Sequence, residues 1–274
     1  MRRNVSSQWC NSICIRAALL ACLLACQVAF IAAQVAVENN PKIWVGRYEE
    51  FETFIKTAPI VRVERIPLGV TKPVHGFFAA GSPVEGAAIK ALRPSAETGY
   101  FESYQSEVAA YEVDKLLGMD MVPVTVERLY EGRPASAQLW VNDTVFRKTL
   151  LEQKQQPPNP SDWGRQVNRW RVFDNLIANI DRNEGNLLVL RTPAWHLVLI
   201  DHSRAFTSVT KMVFDVTQID RPFFERLKAL DAATLDARIG KLVLDGSKSI
   251  LRRRDLIVAQ LEKLAASKDG VFTP

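Results

Sequence analysis

The body of this chain has no cysteine. All four cysteines (Cys10, Cys14, Cys22, Cys26) fall near the start of the 274 residues. That excludes a disulfide framework and a cysteine-held metal for everything that follows. Histidine is nearly as scarce, with three scattered residues (His75, His196, His202), so zinc chemistry is excluded too. An excess of one charge is also lacking. Lysine plus arginine is 35 against 30 acidic residues. Arg2, Arg3 and Arg16 precede the first acid, which leaves 32 basic residues against the same 30. With no basic patch carrying interleaved aromatics, nucleic acid is excluded as a partner. What is present is ordinary for a globular protein: 47% hydrophobic and 24% charged residues, enough chain for one large domain or one two-lobed domain.

Residues 17–33 (AALLACLLACQVAFIAA) are an apolar run broken only by Gln27. Three arginines before it and small residues at Ala32-Ala33 fit a secretory signal peptide. Extended through Val35-Ala36-Val37, the run is also long enough for an uncleaved membrane anchor. Positive charge ahead of it places the body outside the cytoplasm in either case. Two other readings are a loose lipoprotein-type site at Cys26 and a start codon set upstream of a cytoplasmic protein. The expected organisation is a leader at 1–37, a first lobe at 38–141 and a second at 142–274.

In the first lobe, aromatic and aliphatic residues at spacings of three to four over 43–58 predict a helix. Strands are expected at 60–66, 74–80 and 86–92, separated by the turn-rich stretches 67–73 and 81–83. The spacing over 100–117 predicts a helix that Gly118 stops, with Ala109, Ala110, Val113, Leu116 and Leu117 on one face. Two further strands are expected at 122–130 and 135–141. Three prolines in 153–161 (QKQQPPNPS) mark a surface loop. Beyond it a helix over 162–179, capped by Ser161 or Asp162, carries Trp163, Val167, Trp170, Phe173 and Ile177 on one stripe. Short strands at 187–190 and 196–200 precede two or three helices over 221–268. The fold class is therefore α+β: an antiparallel sheet with one helix, then a mainly helical lobe with a short hairpin.

The densest polar cluster is Asn179-Ile180-Asp181-Arg182-Asn183-Glu184-Gly185-Asn186, between a helix end and a very apolar strand. One hairpin later, Asp201 follows another apolar strand. Asp181, Asn186 and Asp201 thus converge as candidates. An aspartate and an asparagine are hard oxygen donors suited to magnesium, which borrows its other ligands from water and phosphate. Lys90, at the end of a first-lobe strand, supplies the positive charge that a polyphosphate requires.

This pattern resembles the catalytic and metal-binding elements of the protein-kinase-like superfamily. The D-R-N-x-G-N segment followed by I-D-H is similar to its atypical branch: phosphatidylinositol 3-/4-kinases, HipA-type kinases and secretory kinases of the four-jointed type. Glu85-Gly86-Ala87-Ala88-Ile89-Lys90 resembles the strand bearing the phosphate-binding lysine, and Glu107 is placed like its ion-pair partner. The resemblance runs from about Arg62 to Phe206. It implies an ATP- and magnesium-dependent kinase whose acceptor is a hydroxyl of a protein, lipid or glycan. Lys90 would contact the nucleotide phosphates and Glu107 would hold it. Asp181 would orient the acceptor hydroxyl, and Asn186 and Asp201 would hold magnesium. Gly69 would lie in the nucleotide-covering loop, and Gln138 to Val141 would form the hinge beside the adenine. A second reading is an exported pseudokinase that binds a nucleotide or partner without turnover.

Four departures from the conventional kinase pattern stand out. Asn179-Ile180 replaces the histidine side of the usual triplet, and Asp201 is followed by His-Ser. No Ala-Pro-Glu stretch follows, and the loop at Gly69 has one glycine. A conventional serine/threonine or tyrosine kinase is disfavoured; the atypical branch accommodates all four. Among the remaining polar residues, Arg182 is expected to bridge to an acid and His202 to pack rather than act as a base. Trp163, Trp170 and Phe173 are read as core, and Trp140 and Trp195 are weighed as residues flanking the cleft without being given a role. Arg252-Arg253-Arg254 is read as a solvated helix face, with a contact to anionic lipid as the alternative, and Asn142-Asp143-Thr144 as a glycosylation sequon only in a host that glycosylates exported proteins.

Overall fold

The computed structural model describes residues 40–67, 72–96, 101–245 and 247–274. The leader and Gly69 lie outside the described residues. Residues 40–46 form a turn closed by a bond from the Val45 amide to the Lys42 carbonyl (2.9 Å). Arg47–Pro274 forms a compact unit of its own.

That unit opens with helix α1 (Tyr48–Thr57), shorter at its start than the spacing predicts. Strands β1 (Arg62–Arg65), β2 (Val74–Phe77) and β3 (Gly86–Lys90) follow. Then come helix α2 (Tyr104–Leu117), β4 (Thr125–Tyr130) and β5 (Arg133–Leu139). The five strands make one antiparallel sheet in the order β1-β2-β3-β5-β4. All four residues of β1, an edge strand of this sheet, are exposed. Between β2 and β3 the backbones need a glycine: a Cβ at Gly86 would meet the Gly76 carbonyl oxygen at 2.4 Å.

The ends of α2 follow from local chemistry. Ser103 caps the start by accepting from the Gln105 amide, and Gly118, at φ 56°, takes the left-handed turn that closes the helix. Asp114, fully buried, accepts from the Met121 and Val122 amides (3.1 and 3.2 Å) and so fixes the chain leaving the helix. The buried face carries Ala109, Ala110, Val113 and Leu117, as the periodicity predicts, while Leu116, expected on the same face, is only half-buried.

After β5 come β6 (Thr144–Phe146) and helix α3 (Arg147–Glu152), both missed by the sequence reading because each is too short to show a period. Helix α4 (Pro160–Leu176) is capped by Asn159, whose side chain accepts from the Asp162 amide, rather than by Ser161 or Asp162. Pro160 can begin the helix because the first turn leaves its N–H positions unpaired. Strands β7 (Leu187–Leu190) and β8 (His196–Leu199) form the expected hairpin, with β6 added at its edge.

The chain closes with β9 (Ile219–Asp220), α5 (Arg221–Ala229), α6 (Ala232–Ile239), α7 (Lys248–Ala265) and β10 (Phe272–Thr273). The parallel pairing of β9 with β10 was not foreseen. The reading of 252–254 as a solvated face needs correcting at Arg253, which is 3% exposed. Its guanidinium donates to the carbonyls of Leu176 (2.6 Å), Thr207 (3.1 Å) and Val209 (3.3 Å). Among the described residues no helix is long and apolar enough to cross a membrane.

Candidate nucleotide and phosphoryl-transfer site

Lys90 ends β3 with its side chain turned inward. Its Nζ donates to Glu107 Oε1 at 2.5 Å and to Asp201 Oδ1 at 2.7 Å. The three residues come from a strand, a helix and the loop after β8, so only the tertiary fold joins them. Burial by itself would lower the Lys90 pKa, but Glu107 and then Asp201 raise it above its ordinary value. For Glu107, burial works to raise the pKa. Lys90 and then His202 outweigh it, holding the carboxyl well below the usual range. Both groups are therefore ionised, and the cation is held ready at a fixed place.

Asp201 has φ 59°, a left-handed backbone that costs an aspartate energy and that local packing must impose. Its imposition is visible on both sides. Before it, the Ile200 amide donates to Asn186 O (3.2 Å). After it, the His202 amide donates to Glu107 Oε2 (3.0 Å), and Ser203 Oγ donates to Asp201 Oδ1 (3.1 Å).

Arg182 holds the polar cluster together. Its five N–H groups are spent on Asp174 Oδ2 and Oδ1 (2.8 and 3.0 Å), Asn186 O (2.9 Å), Ile200 O (2.6 Å) and His202 Nε2 (2.8 Å). Arg182 and Asp174 are almost fully buried, as the bridging expectation for Arg182 required. Because Arg182 donates to Nε2, His202 carries its proton on Nδ1. Burial, then the Arg182 charge, lowers its pKa. His202 is thus a neutral, packed group, as expected.

The backbone at Asp181 is clamped on both sides. Its amide donates to Asn179 Oδ1 (3.3 Å), and its carbonyl accepts from Asn183 Nδ2 and Asn186 Nδ2 (both 3.2 Å). The carboxylate itself is 41% exposed and accepts from Arg204 Nη1 at 3.2 Å. Since Asn186 uses its amide N–H on the Asp181 carbonyl, its Oδ1 is the end left to accept a cation.

Lys90, Asn186 and Asp201 all line one cavity of about 700 Å³. Ala88 from the sheet, Leu188 from β7 and Ile200 just after β8 also line it, as do Gln138 and Val141. Asp181 and Glu107 are not in its wall: Asp181 sits beside Asn186 in the loop, and Glu107 lies behind Lys90. Trp140, a cleft-flanking candidate in the sequence, also lines the cavity and stacks on buried His75 at 3.8 Å and 14°. Trp195 packs on Trp163 instead. The sequence reading missed Asp174 and Arg204: Asp174 accepts from Asn179 and Arg182 just beyond its own helix, and Arg204 reaches Glu102 and Asp181 across the fold.

Two hard oxygen donors fit a magnesium ion, and a lysine behind them fits a polyphosphate. Among the described residues no group of three or more His, Cys, Asp or Glu could hold a metal by itself.

Sheet, helices and hairpin together make an α+β, two-lobed fold like that of the protein kinases. The comparisons with solved structures carry that assignment. A Golgi casein kinase solved with Mn and ADP bound matches over 81% of this chain and 77% of its own, at 13% identity and a TM-score of 0.61. A Fam20 protein of hydra, solved with sugar, matches over 82% of this chain and 92% of its own, at 14% identity and a TM-score of 0.63. No family model matches the sequence, and no curated protein sequence does.

Proposed function

We propose that this chain is a magnesium-dependent kinase that passes the γ-phosphoryl group of ATP to a hydroxyl of a protein, lipid or glycan. The observation that carries the reading is the Lys90 ammonium held between Glu107 and Asp201 at the wall of the cavity, with Asn186 beside it. In that reading Lys90 binds the phosphates and Glu107 keeps it in place. Asn186 and Asp201 hold magnesium, which when bound neutralises charge on the phosphates. Asp181 accepts the hydrogen bond of the acceptor hydroxyl and aims its oxygen. Gln138 to Val141 flank the base. In such a site positioning and electrostatics supply most of the rate. The kinase-like neighbours, one solved with Mn and ADP, support the same chemistry.

The domain reading follows: a leader at 1–37, a first lobe at 38–141 and a second at 142–274. We propose that the body is exported or membrane-anchored through the leader, consistent with the Golgi location named for the casein kinase.

Thermal melting of residues 38–274 with and without magnesium and ATP tests the site. A ligand bound only by the folded state stabilises by about 2.7 kcal/mol at a hundred times its Kd. Asp201→Ala should lose the magnesium-dependent shift. Asp181→Asn should keep the shift and lose phosphoryl transfer by two or more orders of magnitude. A shift in the parent protein without any turnover would favour the pseudokinase, and no shift in a folded sample would end the nucleotide reading.

A further inference from the structure

Arg204 lies three residues beyond Asp201 and joins two carboxylates that belong to different parts of the fold. Its Nε donates to Glu102 Oε1 at 2.6 Å, and its Nη1 donates to Asp181 Oδ2 at 3.2 Å. Glu102 is buried just ahead of α2 in the first lobe. Asp181 belongs to the loop after α4 in the second. The two ends of the bridge are unequal. The Glu102 end is short and screened from water, so it anchors the guanidinium. The Asp181 end is longer and half open, so it adds little to stability. A contact that adds little stability yet fixes a half-exposed acid acts on orientation.

We propose that Arg204 is a positioning residue that ties the Asp181 carboxylate to the first lobe, so that Asp181 is aimed only when α2 is docked. This deepens the kinase reading and rests on it for its catalytic consequence. Two further observations support it. First, Arg182, the nearest arginine in sequence, has all its donors committed to Asp174, two loop carbonyls and His202. It holds the loop backbone but not the Asp181 carboxylate. Second, the same stretch, Ser203–Ala205, touches the start of α2 twice more. The Ser103 amide donates to Ser203 O (2.9 Å), and Ser106 Oγ donates to Ala205 O (3.3 Å). One docking event therefore sets Glu107 against Lys90 and Glu102 against Arg204. Burial works to lower the Arg204 pKa, but the Glu102 bond and the Asp181 charge raise it, so the clamp stays charged.

The variants are Arg204→Met, Arg204→Lys and Glu102→Gln, each read in two ways. The first is steady-state hydrolysis of ATP with magnesium, water serving as acceptor. Arg204→Met should lower kcat about tenfold to a hundredfold, the size expected of a misaimed group, with KM for ATP within threefold. Glu102→Gln should move kcat in the same direction, the double variant should be no worse than Arg204→Met, and Arg204→Lys should recover part of the loss. The second is amide hydrogen exchange, which needs no activity: segments 102–106 and 181–186 should exchange faster together in both single variants. If the two segments respond independently, or kcat is unchanged, the tie is absent and the inference falls while the kinase reading stands. A parallel drop in kcat, ATP affinity and melting temperature would mean general damage and would also overturn it. If the parent neither binds nor hydrolyses ATP, the kinase reading falls, and the exchange data still decide whether Arg204 couples the two segments.

Discussion

Lys90 and Glu107 form a buried ion pair in which each partner needs the other. Removing one side of such a pair costs about 3–5 kcal/mol, because the remaining charge stays buried without compensation. Glu107→Gln keeps the shape and leaves Lys90 with Asp201 alone, so its cost belongs at the lower end. The pH dependence has a definite sign. The Glu107 pKa is lowered on folding from an ordinary 4.5. Its contribution is therefore complete above about pH 4.5 and is lost as the pH falls below that value. The melting-temperature gap between the parent and Glu107→Gln should be constant from pH 8 to 5 and shrink below 4.5. A gap that persists undiminished to pH 3 would contradict the assignment. Lys90, Glu107, Asn186 and Asp201 could be singled out in the sequence because their order resembles a known family's pattern. Trp140 could only be offered as a candidate, since an aromatic after a strand looks the same whether it faces a cavity or packs a core.

At the scale of elements, chain ends and caps decide more than periodicity does. Asn159 caps α4, and replacing it with alanine should cost about 1 kcal/mol in urea unfolding, with little effect at the site. Arg253 on α7 is a stronger case. It satisfies three carbonyls, at Leu176, Thr207 and Val209, where water has little access. Arg253→Met should cost about 2 kcal/mol or more and speed exchange across 207–216. Asn175 pins the same segment further on, accepting from the Val213 and Phe214 amides (2.8 and 2.9 Å). Equal stability of the parent and Arg253→Met would show that other contacts hold the segment. The three-arginine run read as solvated because hydropathy treats arginine as a surface residue. A guanidinium is buried when a fork of carbonyls meets it, and those carbonyls come from segments forty and more residues away.

At the scale of the whole molecule, the two lobes are bonded at several places. The Leu199 amide donates to Met121 O (2.8 Å), Arg226 Nε donates to Leu117 O (2.6 Å), and Glu107 accepts from the His202 amide. Residues 47–274 should accordingly unfold in one cooperative transition, with tryptophan fluorescence and far-ultraviolet circular dichroism giving the same midpoint. Two separated midpoints would mean that these bonds do not couple the lobes. For the leader, sequencing the mature protein from its host should find a start beyond Ala33 if a signal peptide is removed. A start at Met1 in a membrane fraction would indicate the anchor instead.

The sequence alone determined the class of fold, the order of its longer elements and the acids and lysine proposed for the site. Those properties are written in local periodicity, in turn chemistry and in short spacings, all of which act over a few residues. The tertiary structure decided what lies next to what. It placed Lys90 between Glu107 and Asp201, gave Arg182 to the loop backbone and Arg204 to the Asp181 carboxylate, and turned Arg253 inward. Each of these is a long-range contact between charges, and a charge reads the same in sequence whether water or another segment of the chain will satisfy it.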